Sequence, residues 1–225
     1  MSDNQQKKRN RIKNVILIAV WVLFIVICLR FRGEITVEKI MGYTPKKPVL
    51  AAFVMLILYA LKSVSVVIYS PIFYVACGIM FPLPVALLIN TIGTFIMVLI
   101  PYILGKKAGE EAMQQLIEKN EKLGMLKDIS SRNPVFLSFF TRVVHVFPND
   151  PVGMYFGSCG VDFKKYALGS MLGLLPSVIT FTVMGMSVDD PTSPEFLISL
   201  AIEAGLILLS LPVFHVFRVK NKNSH

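Results

Sequence analysis

The residues best suited to chemistry lie inside apolar stretches of the sequence. Residues 135–161 are mainly apolar, yet they hold Arg142, His145, Asn149 and Asp150. A charged side chain at membrane depth is costly unless it is paired or hydrated, so such residues mark functional sites. Arg142 is suited to gripping a phosphate headgroup. Alternatively, a salt bridge from Arg142 to Asp150 pins this part of the chain, and the two interpretations are compatible.

The remaining polar positions admit a chemical and a structural interpretation. Asp150 lies between two prolines after Asn149, where it can carry a proton, pair with Arg142 or only cap a half-helix. His145 can relay protons near neutral pH, although a lone histidine is more often a packing residue. Glu203 lies in the last apolar segment, where it either pairs with Arg142 or a lysine inside a bundle, or reaches water at the interface.

No enzyme or metal signature accompanies these residues. The sequence has no HExxH, no P-loop and no GxSxG motif. The three histidines lack metal-ligand spacing, and the three cysteines are widely separated within apolar stretches. We therefore expect no catalysis, no metal and no cofactor.

Composition places most of the chain in a membrane. The 225 residues are 54% hydrophobic and only 16% charged, against roughly 25% charged in a soluble domain, and the mean hydropathy is +0.64. The basic residues behind the net charge of +9 flank apolar segments. This pattern indicates anionic membrane lipids rather than nucleic acid as partners. It leaves open whether the chain forms a homo-oligomer.

A first broken apolar segment follows a short one. Val15–Leu29 predicts a retained anchor that barely spans a bilayer, and Val49–Leu61 is the next apolar piece. No charge occurs between Lys62 and Lys106, a stretch that prolines and glycine interrupt. Broken backbone at membrane depth must be buried in protein or line a cavity. We therefore predict a re-entrant hairpin over Ser63–Met80 and a span over Val85–Leu104, with two cramped helices as the alternative.

The second half of the chain shows the same order. Val135–Val161 is broken, Tyr166–Val188 is a clean span, Asp189–Pro194 is an acidic turn, and Phe196–Phe217 is the last span. The polar segment Lys106–Arg132 predicts either an amphipathic surface helix or an ordinary connecting helix. The expected hairpin hinges are Pro71, Gly78, Pro82, Pro148, Pro151 and Gly157.

These segments predict an all-α polytopic membrane protein. Its centre is an inverted repeat of re-entrant hairpin plus transmembrane helix, with extra N-terminal and C-terminal helices. The expected divisions are a basic tail (1–14), an anchor with a polar loop (15–47), a membrane domain (48–188), a final transmembrane helix (189–217) and a basic tail (218–225).

The distribution of basic residues predicts the topology. The positive-inside rule puts the Lys106–Arg132 segment and the C-terminus in the cytoplasm and the Asp189–Pro194 turn outside. We expect a multi-pass protein of the cell (plasma) membrane. Counting spans backwards then places the strongly basic N-terminal tail outside, unless the first apolar segment does not cross.

Six short motifs follow one another in a specific order along the chain. The first three are CGIMFP at 77–82, NTIG at 90–93 and YILGKKAG at 102–109; the others are FTR at 140–142, FPND at 147–150 and YFG at 155–157. Together with GLLP at 173–176 and Gly185, they resemble the DedA superfamily, in its SNARE-associated Golgi protein (VTT domain) branch. The resemblance covers roughly Val49 to Val188.

This resemblance implies two opposed re-entrant hairpins and a role in moving phospholipids or carrier lipids, in some members with coupling to protons or membrane potential. Two departures stand out. The family's first hairpin usually carries acidic residues, but none lies between Glu38 and Glu110. The arginine that follows the aromatic Tyr102 in the family pattern is Lys106 here, which keeps the charge and loses the planar fork.

Three functions are consistent with these patterns. The first is a lipid transporter or scramblase that moves lipid between leaflets. The others are a proton- or ion-coupled secondary transporter of a small solute and a non-transporting membrane-organising protein. The candidate transport residues are Arg142, Asp150, His145, Asn149, Lys106, Tyr102 and Glu203.

Overall fold

The computed structural model describes residues 37–42, 47–64, 69–118, 133–143, 148–206 and 208. Regular structure in these ranges is entirely α-helical, which confirms the all-α prediction for this part of the chain. The predicted anchor, His145, the segment 119–132 and the end of the last predicted span lie outside these ranges.

Within the described residues, the last helix, α8, covers residues 194–206 and follows seven others. They are α1 (Val37–Gly42), α2 (Pro48–Val64), α3 (Pro71–Met80), α4 (Leu83–Glu118), α5 (Pro134–Val143), α6 (Asn149–Ser158) and α7 (Phe163–Met186).

Local sequence explains where these helices begin and bend. Proline occupies the first position of α2, α3 and α5, where its missing N–H costs no hydrogen bond. Asp162 caps α7, because its carboxylate accepts a 3.0 Å hydrogen bond from the amide of Lys165. Gly109 has φ +80° and bends α4, while Gly160, with φ +65°, turns the chain between α6 and α7.

Helix length separates two spans from shorter pieces. Leu83–Gly109 of α4 has 27 residues, α7 has 24, and both are long and apolar enough to cross a membrane. They contain nearly all of the predicted spans. Helices α3 and α6 have ten residues each, so each rises about 15 Å, half of a hydrocarbon core of roughly 30 Å.

The long helices run antiparallel and define two ends of the bundle. The ring of Tyr102, late in α4, stacks on that of Tyr166, early in α7, at 5.3 Å between centroids. Asn90, early in α4, bonds Thr182, late in α7. The basic end therefore carries exposed lysines from α4 and α7, namely Lys106, Lys107, Lys164 and Lys165. The acidic end carries the exposed residues Asp189, Asp190 and Glu195.

Each short helix packs against the long helix of the other half. Helix α3 contacts α7 and α6 contacts α4, whereas α2 lies on α4 and α5 lies on α7. Glycines make the crossings close. An added Cβ at Gly78 or Gly185 would strike the backbone of the facing helix, as it would at Gly105 or Gly157. Because Gly78 meets Thr182 and Gly157 meets Tyr102, α3 and α6 end at opposite ends of the bundle.

Each short helix is preceded by another helix, α2 before α3 and α5 before α6, which we call its leg. Each leg starts at the end of the bundle to which its short helix returns. Along α2, Tyr59 meets Gly93 and Lys62 lies beside Met97, so α2 runs parallel to α4 and starts at the acidic end. Along α5, Ser138 meets Gly169 and Arg142 meets Gly173, so α5 runs parallel to α7 from the basic end.

The first leg is longer than the sequence indicated. The range predicted as a hairpin, Ser63–Met80, contains only the end of α2 and the whole of α3, and the helix that leads into α3 is the whole of α2 from Pro48. The apolar piece Val49–Leu61 is thus part of this leg.

Candidate functional site

Polar side chains from both halves meet around one small cavity in the middle of the bundle. Lys62 and Ser70 come from the first half, and Arg142, Asn149 and Asp150 from the second. The cavity has room for about one water molecule. The sequence prediction had grouped the three residues of the second half, and the structure brings them together.

Lys62 forms a buried salt bridge with Asp150. Its Nζ lies 2.9 Å from Oδ2 and 3.2 Å from Oδ1 of Asp150. Lys62 is 3% exposed and Asp150 is 4% exposed. The pair joins the last turn of α2 to the first turn of α6, and therefore one half of the bundle to the other.

Arg142 is surrounded by neutral acceptors. Its Nη1 donates to the backbone oxygen and to Oδ1 of Asn149 at 2.7 and 2.8 Å. Its Nη2 donates to the hydroxyl of Tyr166 at 2.8 Å, and its Nε lies 3.4 Å from Oγ of Ser170. The alternative prediction of a salt bridge between Arg142 and Asp150 is wrong, because the Asp150 carboxylate pairs with Lys62 instead.

The charges around the cavity do not balance. Lys62 and Arg142 are cations, and Asp150 is the one anion among the described residues that line it. Removing a charge from water without a counter-charge is expensive, which explains why Arg142 is solvated by four hydrogen-bond contacts. The surplus positive charge makes the cavity suited to an anion.

Lys62 is the site residue that sequence reasoning missed. It ends an apolar run, so its sequence position is equally consistent with a lysine that reaches water at a membrane surface. A signal was nevertheless present. Lys62 precedes Pro71 by the same number of residues that separate Arg142 from Pro151. The two halves thus place a cation at the same distance before the proline of each short helix.

A second buried network surrounds Asn90, a residue that the sequence indicated only as part of the NTIG motif. The amide oxygen of Asn90 accepts a hydrogen bond from the hydroxyl of Tyr59 at 2.7 Å. Its amide nitrogen donates to Oγ1 of Thr182 at 2.7 Å and to the backbone oxygen of Tyr74 at 3.2 Å. These bonds join α2, α3, α4 and α7 beside the cavity.

Three predicted site residues lie away from the cavity. Tyr102 donates a hydrogen bond of 2.5 Å to the backbone oxygen of Val161, and the side chain of Lys106 is exposed at the basic end. Glu203 is 4% exposed, and its Oε1 accepts a 2.6 Å hydrogen bond from Thr180. Glu203 therefore neither pairs with Arg142 nor reaches water.

The expected hinge residues divide into two kinds. Four prolines lie at helix boundaries: Pro71 opens α3, Pro82 separates α3 from α4, Pro148 precedes α6 and Pro151 lies in its first turn. Gly78 and Gly157 lie inside the short helices, where they allow backbones to touch. Within the described ranges, no three His, Cys, Asp or Glu residues group as a metal site.

Comparison with known proteins adds one match. A family model described as the VTT domain matches residues 67–187, which is more than half of the chain and runs from just before α3 to the end of α7. No curated protein and no solved structure matches this chain.

Proposed function

This chain belongs to the VTT domain family of DedA and SNARE-associated Golgi membrane proteins, and from that premise we propose that it moves phospholipid or carrier lipid between leaflets. The observation that carries the proposal is the cation Arg142, which is buried between the two halves and whose hydrogen-bond acceptors among the described residues are all neutral. An arginine fork in such a place is suited to a phosphate headgroup.

The arrangement of the two halves supports a transport path. We propose that α2–α4 and α5–α7 form an inverted repeat, each with a re-entrant hairpin and a span, because their legs start from opposite ends and their short helices exchange long-helix partners. Transporters of this kind bind substrate where the interrupted segments of the two repeats meet. Here that place is the cavity between Lys62, Arg142 and Asp150.

The size of the cavity indicates a closed state. Space for about one water molecule is too small for a headgroup, and Arg142 is only 3% exposed. Substrate therefore reaches Arg142 only after the hairpins separate. This requirement favours a gated carrier over an open lipid groove. We place it in the cell (plasma) membrane, with anionic lipid headgroups as its partners.

The test is lipid movement in liposomes that contain the purified protein and acyl-labelled fluorescent phospholipid. A membrane-impermeant quencher reports how much inner-leaflet lipid reaches the outside. We expect wild-type protein to expose the inner-leaflet pool, Arg142→Ala to abolish this movement, and Arg142→Lys to retain part of it, because a lysine keeps the charge without the planar fork.

Lys164→Gln is the matched control, since it removes an exposed cation at the basic end and should leave lipid movement unchanged. If wild-type protein moves neither phospholipid nor carrier lipid, lipid transport is excluded. If Arg142→Ala moves lipid as fast as wild type, the path does not pass through this cavity.

A second candidate is proton-coupled transport of a small solute, favoured by two buried carboxyl groups, Asp150 and Glu203. This function requires pH-dependent uptake that is lost in Asp150→Asn. Intact pH-dependent uptake in that variant would show that Asp150 takes no part in proton coupling.

A further inference from the structure

The Lys62–Asp150 pair spans the boundary that must open for substrate to reach the cavity. Lys62 belongs to the leg that starts from the acidic end, and Asp150 to the short helix that returns to the basic end. Both oxygens of Asp150 lie within 3.2 Å of Nζ, so the lysine charge is matched by a planar pair of anionic oxygens. A phosphate group presents a similar pair of oxygens to a cation.

Arg142 depends on the same turn of the second short helix. Its two shortest bonds to α6 go to Asn149, the residue next to Asp150. Movement of the first turn of α6 away from α2 therefore separates Lys62 from Asp150, and movement away from α5 also separates Arg142 from Asn149. Opening exposes two cations that face one space.

An opened pair needs a replacement anion. A buried charge that loses its partner is strongly destabilising, so separation of Lys62 from Asp150 is costly unless another anion takes the vacated position. A headgroup whose only charge is a phosphodiester provides that anion. A zwitterionic headgroup brings its own cation into a space that already holds a surplus positive charge.

We propose that Asp150 occupies, in the closed protein, the position on Lys62 that the substrate's phosphate takes in the open protein. Lys62 is then a specificity-determining residue, and the pair is a latch that anionic lipid opens more readily than zwitterionic lipid. This inference rests on the proposed transport function. It adds the charge of the substrate headgroup and the residue that recognises this charge.

The experiment measures the movement of phosphatidylglycerol and phosphatidylcholine with the same acyl label, in parallel liposomes. We expect wild-type protein to favour phosphatidylglycerol. Asp150→Asn frees Lys62 and should raise the ratio of the two rates about tenfold, the change that corresponds to roughly 1.4 kcal/mol. The paired variant Lys62→Gln with Asp150→Asn keeps neutral hydrogen-bonding groups at both positions, and its ratio should fall below the wild-type ratio, because residue 62 no longer provides a cation for the phosphate.

Two further variants make the outcome decisive. Lys62→Asp combined with Asp150→Lys rebuilds an ion pair with exchanged partners, and it should favour phosphatidylglycerol more than the neutral pair does. Lys164→Gln removes an exposed lysine and should keep the wild-type ratio. Size-exclusion profiles establish which variants are folded.

The possible failures are distinct. If wild type and the folded variants share one ratio of phosphatidylglycerol to phosphatidylcholine movement, Lys62 does not recognise headgroup charge. This inference is then overturned, while lipid transport stands. If no protein moves either lipid, transport itself is excluded, and the latch with it.

Discussion

The hydroxyl of Tyr166 accepts a hydrogen bond from Nη2 of Arg142 at 2.8 Å. The same hydroxyl lies 3.4 Å from the backbone oxygen of Val98, and its ring centroid lies 5.8 Å from the guanidinium carbon. Tyr166 thereby links Arg142 on α5 to both long helices. Together with Asn149, it fixes the direction of the guanidinium.

Tyr166→Phe should weaken this arrangement without emptying the space that the ring fills. The change leaves a buried guanidinium N–H without its acceptor, which costs about 1–3 kcal/mol. We expect a lower melting temperature in detergent and slower lipid movement. Tyr69→Phe is the control, because Tyr69 is exposed and should lose neither property; equal behaviour of the two variants would show that the Tyr166 hydroxyl is dispensable.

Lys62→Ala should destabilise the protein more than removal of both charges. The single change leaves the Asp150 carboxylate buried and unpaired, at a cost of about 3–5 kcal/mol. Lys62→Met combined with Asp150→Leu removes both charges and keeps most of the packing volume, so its melting temperature should lie above that of Lys62→Ala. A double-mutant cycle with additive effects would show that the two side chains do not interact.

The close helix crossings give a prediction that is independent of charge. At Gly185 an added methyl group meets the backbone of α3 near Val75, and backbone cannot yield as a side chain does. Gly185→Ala should therefore cost about 1–3 kcal/mol. Gly205→Ala places its methyl group in open space and should be neutral or slightly stabilising; if both variants melt alike, the crossing is not close.

Local patterns in the sequence were enough to predict the helices, the two breaks and the meeting of Arg142, Asn149 and Asp150. Prolines and glycines indicated where the apolar segments break, and long stretches without charged residues indicated the long helices. The spacing of Lys62 from Pro71 could have marked Lys62, but it does not identify Asp150 as the partner of Lys62. The two residues are distant along the chain and come close only because α2 and α6 both pack on α4. The course of α2 was hard to infer for a related reason, since an apolar run of this length looks the same whether it crosses or returns.

The course of α2 changes the expected topology. Because α2 and α3 start from and return to the acidic end, residue 47 lies on the side of the acidic turn, opposite Lys106. If the apolar segment 15–29 crosses once, the basic N-terminal tail then lies on the same side as the basic end. Helix α8 starts at the acidic end and runs towards the basic end, because Glu203 late in α8 bonds Thr180 in the middle of α7. We therefore expect all three basic regions to lie on the cytoplasmic side, as the positive-inside rule predicts.

Cysteine labelling in intact cells tests this topology. Cys159 is exposed at the basic end, whereas Cys77 is buried, so a Cys28→Ser background leaves Cys159 as the reporter. We expect a membrane-impermeant maleimide to label Cys159 only after the cells are opened. Glu195→Cys, made with Cys159→Ser, places a reporter at the acidic end and should be labelled from outside. Labelling in the reverse order would place the basic end outside, against the positive-inside rule, while labelling of both reporters in intact cells would mean that they do not lie on opposite sides of the membrane.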